Sequence, residues 1–271
     1  MTQKREGFVV VANKGKSLAM RVKEEMTEWL LAEGQIVIAE SDPLKMLARY
    51  VIALGGDGTA IRTVTEYSIY GVITIPINID GGVGFVTIGN MKNWDTILGK
   101  IIKGKYIAEK RIGLELEYKG TKYGPFANDV VLKHTASMAT MKLSVNRHVV
   151  YRAMTADGFI IAAPTGSTGY NVSAGGTIAL PGIECLFATP MYSDQFNVKP
   201  LVMTPDSIIT MELVGTKPSG VVNLVADGKI IGNMTVGEKI IVKQHETRLL
   251  FAVTDSNEFY RALQTKKGLS R

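Results

Sequence analysis

The rhythm of apolar and polar positions changes about a third of the way along the chain. Residues 8–12 read FVVVA, an unbroken apolar run that suits a parallel strand buried on both faces. From 18 to 34, Leu18, Val22, Met26, Trp29 and Leu30 recur at helical spacing. Ser17 is the expected N-cap of that helix and Gly34 its stop. QIVIAE at 35–40 and RYVIALGG at 49–56 read as strands, 60–67 as a helix, and VITIPIN at 72–78 as a fourth strand. This alternation predicts a Rossmann-like α/β domain with a parallel sheet over 1–100.

After about residue 105 the runs become short and β-rich, as in IGLELEYKG, ATMKLSVN, SIITMELVG and KIIVKQ. Turn dipeptides separate them. They predict a second domain of antiparallel sheets over 101–249. SNEFYRALQTKK at 256–267 is helical again, with Ser256 or Asn257 as cap. That helix is expected to return to the first domain as part of 250–271.

The chain has 271 residues, 46% hydrophobic and 21% charged, the profile of an ordinary soluble protein. A net charge of +6 suits anionic ligands. The basic residues are scattered, and aromatics, at 7%, are not interleaved with them, so no nucleic-acid partner is expected. Cys185 is the only cysteine, which excludes an intramolecular disulfide and thiolate clusters. His134, His148 and His245 lack metal-ligand spacing. The N-terminus has no signal-type apolar core, and no apolar stretch reaches membrane-spanning length. A reducing, cytoplasmic setting without a membrane partner follows as the expectation.

Three segments carry candidate chemistry. GGDGT at 55–59 stands between a strand and a helix, the ligand edge of an open parallel sheet. Gly55, Gly56 and Gly58 allow close backbone approach, and the helix N-terminus by Thr59 favours phosphate. It is neither GxGxxG nor a Walker loop. Asp57 repels phosphate unless it handles Mg2+ or takes a proton from a hydroxyl; an ordinary Asp-Gly turn is the alternative. TADGFIIAAPTGSTGYNVSAGG at 155–176 crowds small hydroxyls against glycines, a composition that cradles a sugar, phosphate or amide, and Tyr170 offers a ring for stacking. In ANDVVL at 127–132, Asn128 and Asp129 suit a purine edge or a ribose diol, or simply a turn leading into a strand.

GGDGT, NDVVL and DGxxxxxPTGSTxYxxSAGG, in this order and spacing, resemble the NAD kinase family. GGDGT alone is shared with diacylglycerol, sphingosine and phosphofructokinase relatives; the long third motif is the specific one. The resemblance extends to NIDGGVGF at 78–85 and to an Asp-Gly at 227–228. It implies transfer of a phosphoryl group from ATP or polyphosphate to the 2′-hydroxyl of NAD, with Mg2+ or another divalent cation, in a homodimer or homotetramer. Asp57 is then the base or orienting group, and Gly55, Gly56, Gly58 and Thr59 the phosphate-facing turn. Asn128 and Asp129 match the pair on the adenosine part of NAD, and Asp157 the Asp-Gly on its nicotinamide side. Thr165, Thr168, Gly169, Tyr170 and Ser173 match the dinucleotide-lining loop, and Asp227 a late Asp-Gly near the reacting groups. No metal ligand is assigned. The chain departs from the family pattern at Gly169, usually Ala, at the 78–85 stretch, one residue longer than usual, and at Asp194, where His is commoner. A lipid or sugar kinase on the same scaffold and a non-catalytic NAD-binding protein are the alternatives.

Overall fold

The computed structural model describes residues 6–81, 84–217 and 220–266. The chain divides into two compact units, one of 1–110 with 248–271 and one of 111–247.

The first unit runs β1 (Phe8–Ala12), α1 (Ser17–Ala32), β2 (Val37–Ile38), β3 (Tyr50–Leu54), α2 (Asp57–Ser68), β4 (Ile73–Asn78), β5 (Gly89–Asn90), α3 (Trp94–Ile102) and β6 (Ile107–Arg111). The chain returns to it with a strand, Leu249–Val253, and a helix, Glu258–Lys266. The sheet order is β2-β1-β3-β4, then Leu249–Val253, then β6, with β5 beside β4. β1 pairs in parallel with β2 and β3, and β4 with β3, β5 and Leu249–Val253. Alternate residues face opposite ways. Phe8, Val10 and Ile52 pack with Val22, Met26 and Leu98, whereas Val9 and Val51 pack with Tyr67. Burial on both faces is why these strands read as unbroken apolar runs.

Three local expectations shift. The N-cap of α1 is Lys16, without a side-chain cap, so Ser17 lies inside the helix. Ala19 is accordingly buried and Leu18 exposed. Gly34 closes α1 in the left-handed conformation (φ +71°), and Gln35 N–H reaches the Leu30 carbonyl at 2.9 Å. Only Val37–Ile38 of the second expected strand pair, because the Ala39 carbonyl is taken by Asp42 N–H at 2.9 Å, in a turn. α2 begins at Asp57, earlier than its apolar spacing suggests, with Gly56 as N-cap.

The second unit contains two antiparallel six-stranded sheets. Its strands are β7 (Leu114–Tyr118), β8 (Thr121–Phe126), β9 (Asp129–His134), β10 (Ala139–Val145), β11 (His148–Ala156), β12 (Gly158–Ala162), β13 (Leu186–Met191), β14 (Leu201–Met203), β15 (Ile209–Thr216), β16 (Val222–Ala226), β17 (Lys229–Met234) and β18 (Lys239–Gln244). The orders are β11-β10-β15-β18-β7-β8 and β14-β13-β12-β9-β16-β17. Leu116, Leu143 and Met211 of one sheet share a core with Leu132, Phe159 and Leu224 of the other. The alternate residues of β12, Ile160 and Ala162, pack on the far side against Ala179 and Cys185. Both faces of this strand are therefore covered, and the sequence between β12 and β13 supplies one cover.

Candidate active site

In the first unit the GGDGT turn joins β3 to α2. Gly55 N–H donates to the Ile77 carbonyl at 3.1 Å. A Cβ on Gly55 would collide with the Thr59 side chain, and one on Gly56 would come within 2.9 Å of Asp80 Oδ2. A Cβ on Gly58 would meet nothing within 4 Å. Packing thus imposes Gly55; at Gly56 the neighbour is the movable end of a carboxylate, and Gly58 leaves open space above the first turn of a helix. The Gly56 carbonyl accepts Thr59 N–H at 3.0 Å and Ala60 N–H at 3.2 Å, which starts the helix and buries Thr59.

Asp57 occupies that first turn, where the helix dipole favours a negative charge. Its carboxylate accepts Phe85 N–H at 3.0 Å and Val86 N–H at 3.3 Å. A Cβ on Gly84 would run into this carboxylate, so the 84–86 backbone closes on it. Asp80, next to Gly56, is paired with Lys16 at 2.6 Å and its N–H donates to Asn78 Oδ1 at 2.8 Å. Residues 82–83 of the 78–85 stretch lie outside the described residues. An oriented, half-buried carboxylate at a glycine turn on a helix N-terminus can accept a hydroxyl proton next to a bound phosphate.

In the second unit Asp227 sits on the β16–β17 turn in the left-handed region (φ +44°). Its carboxylate accepts the N–H groups of Ala127 at 2.7 Å, Asn128 at 2.8 Å and Asp129 at 3.2 Å. Ala163 N–H donates to the Asn128 carbonyl at 2.9 Å, and a Cβ on Gly166 would collide with the Asn128 backbone. Asn128 and Asp129 are held between two loops. Burial, and then the Asp227 charge, push the Asp129 carboxyl up to about 7. Burial also raises Asp227, against the lowering effect of its three N–H donors. Those donors favour the ionised form of Asp227, whereas burial beside that charge favours the protonated form of Asp129.

The loop after β12 is more ordered than its composition suggests. Pro164–Thr168 forms a 3-10 turn, and Tyr170–Ser173 a short helix, α4. Ser167 Oγ accepts Ala179 N–H at 3.0 Å. Buried Asn171 donates to the Thr177 carbonyl at 3.0 Å and accepts the Thr189 hydroxyl at 2.7 Å. These two side chains build the loop. Thr168 donates to the Thr165 carbonyl at 3.5 Å, and Ser173 to the Gly169 carbonyl at 3.4 Å. The Thr165 hydroxyl is buried and has no partner among the described residues. Tyr170 keeps part of its ring exposed, with Lys133 Nζ 5.7 Å from the centroid.

Gly55, Gly56, Asp57, Gly58 and Thr59 thus form one cluster in the first unit. Asn128, Asp129 and Asp227 meet in the second, alongside the loop bearing Thr165, Thr168, Gly169, Tyr170 and Ser173. Asp157 stands apart from that group. Its carbonyl accepts His134 N–H, at the far end of β9 from Asp129. Five residues at about 3.3 Å each separate the two, roughly 17 Å. Asp80, Gly166 and Asn171 escaped the sequence reading, although Gly166 and Asn171 lie within its third motif. Among the described residues no group of three His, Cys, Asp or Glu side chains is placed to hold a metal, and no helix is long and apolar enough to cross a membrane.

Residues 127–253 match the ATP-NAD kinase C-terminal domain. The NAD kinase of Symbiobacterium thermophilum is 30% identical, with 96% of this chain and 98% of the relative covered. That of Methanothermobacter thermautotrophicus is also 30% identical, over 95% and 94% of the two chains. Among solved structures, yeast NADH kinase complexed with NADH superimposes with a TM-score of 0.86, at 20% identity, over 99% of this chain and 89% of that one. An NAD kinase from Archaeoglobus fulgidus in complex with ATP gives 0.75 at 23% identity, over 95% and 96%. With whole-length relatives at this identity and the glycine turn, amide–carboxyl pair and hydroxyl loop in place, the chain belongs to the NAD kinase family.

Proposed function

We propose that this protein phosphorylates the adenosine ribose 2′-hydroxyl of NAD to give NADP, with ATP as donor, or polyphosphate in its place. The observation that carries the reading is the Asp57 carboxylate, fixed by two backbone N–H groups on the first turn of α2, next to a glycine with open space above it. Asn128 and Asp129 hold the adenosine part of NAD. The unpartnered Thr165 hydroxyl, Thr168, Gly169, Tyr170 and Ser173 line the dinucleotide, and Asp227 sets the Asn128–Asp129 backbone.

Asp57 accepts the proton of the 2′-hydroxyl, or aligns it, as that oxygen attacks the γ-phosphorus. The new O–P bond forms while the bond from the γ-phosphorus to its bridging oxygen breaks, and ADP leaves with the electron pair. The turn at Gly55, Gly56, Gly58 and Thr59 presents N–H groups and the helix dipole to the transferred phosphoryl. Mg2+, when bound, neutralises the donor phosphates. The chain fits that ion: Mg2+ takes one or two carboxylates plus substrate phosphates rather than an all-protein cage, and Asp57 and Asp80 both flank the turn.

The protein works in the cytoplasm as a homodimer or homotetramer. Phe196, 97% exposed, supports assembly. It sits on a segment pinned to β11 by Gln195 Nε2 to the Ala153 carbonyl at 3.1 Å and by the Tyr151 hydroxyl to the Lys199 carbonyl at 2.7 Å. Asp157 lies at the same end of the unit, so a second copy is what would bring it to a nicotinamide.

An acceptor screen tests the reading: NAD, NADH, sphingosine, diacylglycerol and inositol, each with ATP and Mg2+, with polyphosphate as alternative donor. NADP formation is expected. Phosphorylation of a lipid or inositol alone, or NAD binding without product, overturns it.

A further inference from the structure

A cavity of about 600 Å³ opens beside the edge strand of the first unit, and no residue of the glycine turn lines it. Val10, Val37 and Ile38 give it apolar lining, Val37 and Ile38 from opposite faces of the edge strand, and Lys14, Lys23 and Lys45 give it cationic lining. We infer that it seats the nucleoside end of the triphosphate donor, an inference that rests on the proposed kinase reading.

Position supports this. The cavity lies where β1 and β2 end, and ligands of open parallel sheets bind outside the carboxyl ends of strands. Its volume is in the ordinary range for small-molecule sites. The loop after β1 links it to the glycine turn. Asn13 N–H donates to the Leu54 carbonyl at 3.3 Å, directly before Gly55. Lys14, next in sequence, lines the cavity, and Lys16 pairs with Asp80, the carboxylate beside Gly56. β2 and β3 are two strand spacings apart, about 10 Å, a distance a phosphate chain can bridge.

Charge points the same way. Glu40 on the rim is already paired with Lys23 at 2.8 Å. Lys45 stands 3.5 Å from exposed Glu66 and 5.8 Å over the Tyr67 ring. Lys14 has no ion-pair partner among the described residues and is exposed. The lining therefore carries three ammonium groups against one carboxylate. A bare phosphate chain would use the lysines but not the apolar lining. A base against that lining with its phosphates running past Lys14 uses both.

Calorimetric titration of the full chain with Mg·ATP and with tripolyphosphate, without NAD, tests the inference. Ser41, exposed on the rim, becomes Trp to fill the cavity without entering the core; Lys14→Ala removes a phosphate contact. Ser41→Trp should weaken ATP at least about tenfold and leave tripolyphosphate within about twofold. Lys14→Ala should weaken both about fivefold, more at low salt than at high. KM for NAD should not move in either variant, and an unchanged melting temperature confirms the fold. Unaltered ATP affinity in both variants overturns the inference, as does equal loss of ATP and tripolyphosphate in Ser41→Trp. If the binding pattern holds but wild-type protein makes no NADP, the kinase reading fails and the nucleotide seat stands. If NADP forms normally and the variants bind ATP as wild type does, the seat fails and the kinase reading stands.

Discussion

Asp129 is buried and Asp227 half-buried, and the two carboxyl groups meet the same difficulty in different ways. Asp227 offsets its charge with three backbone N–H groups, and Asp129 keeps its proton up to about pH 7. A carboxyl whose folded pKa is raised, from 3.8 to about 7, holds a proton that the unfolded chain has lost between those values. Stability should therefore fall as pH rises from about 4 to about 7, by at most about 4 kcal/mol at 1.4 kcal/mol per unit. Asp129→Asn should flatten that slope, measured as denaturation midpoints across this range; an unchanged slope contradicts the assignment. Asp227→Ala leaves three N–H groups without their acceptor. A loss of about 2–3 kcal/mol is expected, with KM for NAD raised more than kcat is lowered; an unaltered KM would remove Asp227 from the site. The close backbone around Asp57 was legible in the sequence, because glycines flank that lone carboxylate. The Asp227 clamp was not, since it joins residues up to 100 positions apart. The separation of Asp157 from Asp129 was hidden for a related reason: only strand pairing shows that the start of β12 lies beside the end of β9, away from Asp129.

At the scale of elements, the glycines of one turn differ: packing demands Gly55 but not Gly58. Gly55→Ala pushes into Thr59 and should destabilise the protein. Gly58→Ala enters open space within a helix and should raise stability by about 0.5–1 kcal/mol. Its melting temperature should rise by roughly 1–4 °C while kcat/KM for ATP falls, because the added methyl stands where a phosphate would approach the turn. A more stable variant with full activity would show that nothing approaches Gly58. Apolar runs disclosed β1, β3 and β4 because these strands are buried on both faces. α2 starts earlier than its apolar spacing because Gly56, not a side chain, caps it. β2 is short because a turn at Ala39 diverts the chain. The order of the loop after β12 depends on Asn171 reaching Thr177 and Thr189, contacts that composition does not announce.

For the whole molecule, the shift from a two-faced parallel sheet to paired antiparallel sheets was readable as a change of periodicity, and the return of the closing helix as a late helical stretch. Phe259 of that helix lies 5.7 Å from Phe85, beside the residues that hold Asp57. The exposure of Phe196, on which the proposed assembly rests, was not readable from the pattern, because Phe196 is apolar in sequence like any core residue. Sedimentation should show a dimer or tetramer, and Phe196→Asp should shift it toward smaller species; a monomer at every concentration would contradict the proposed assembly. The most direct test of the central claim is NADP formation from NAD and Mg·ATP by wild type and Asp57→Asn, with NAD affinity measured on both. Wild type should turn over, and the variant should lose a factor of about 10²–10⁴ in kcat while binding NAD as before. Near-normal turnover in the variant, or no NADP from wild type, would contradict it.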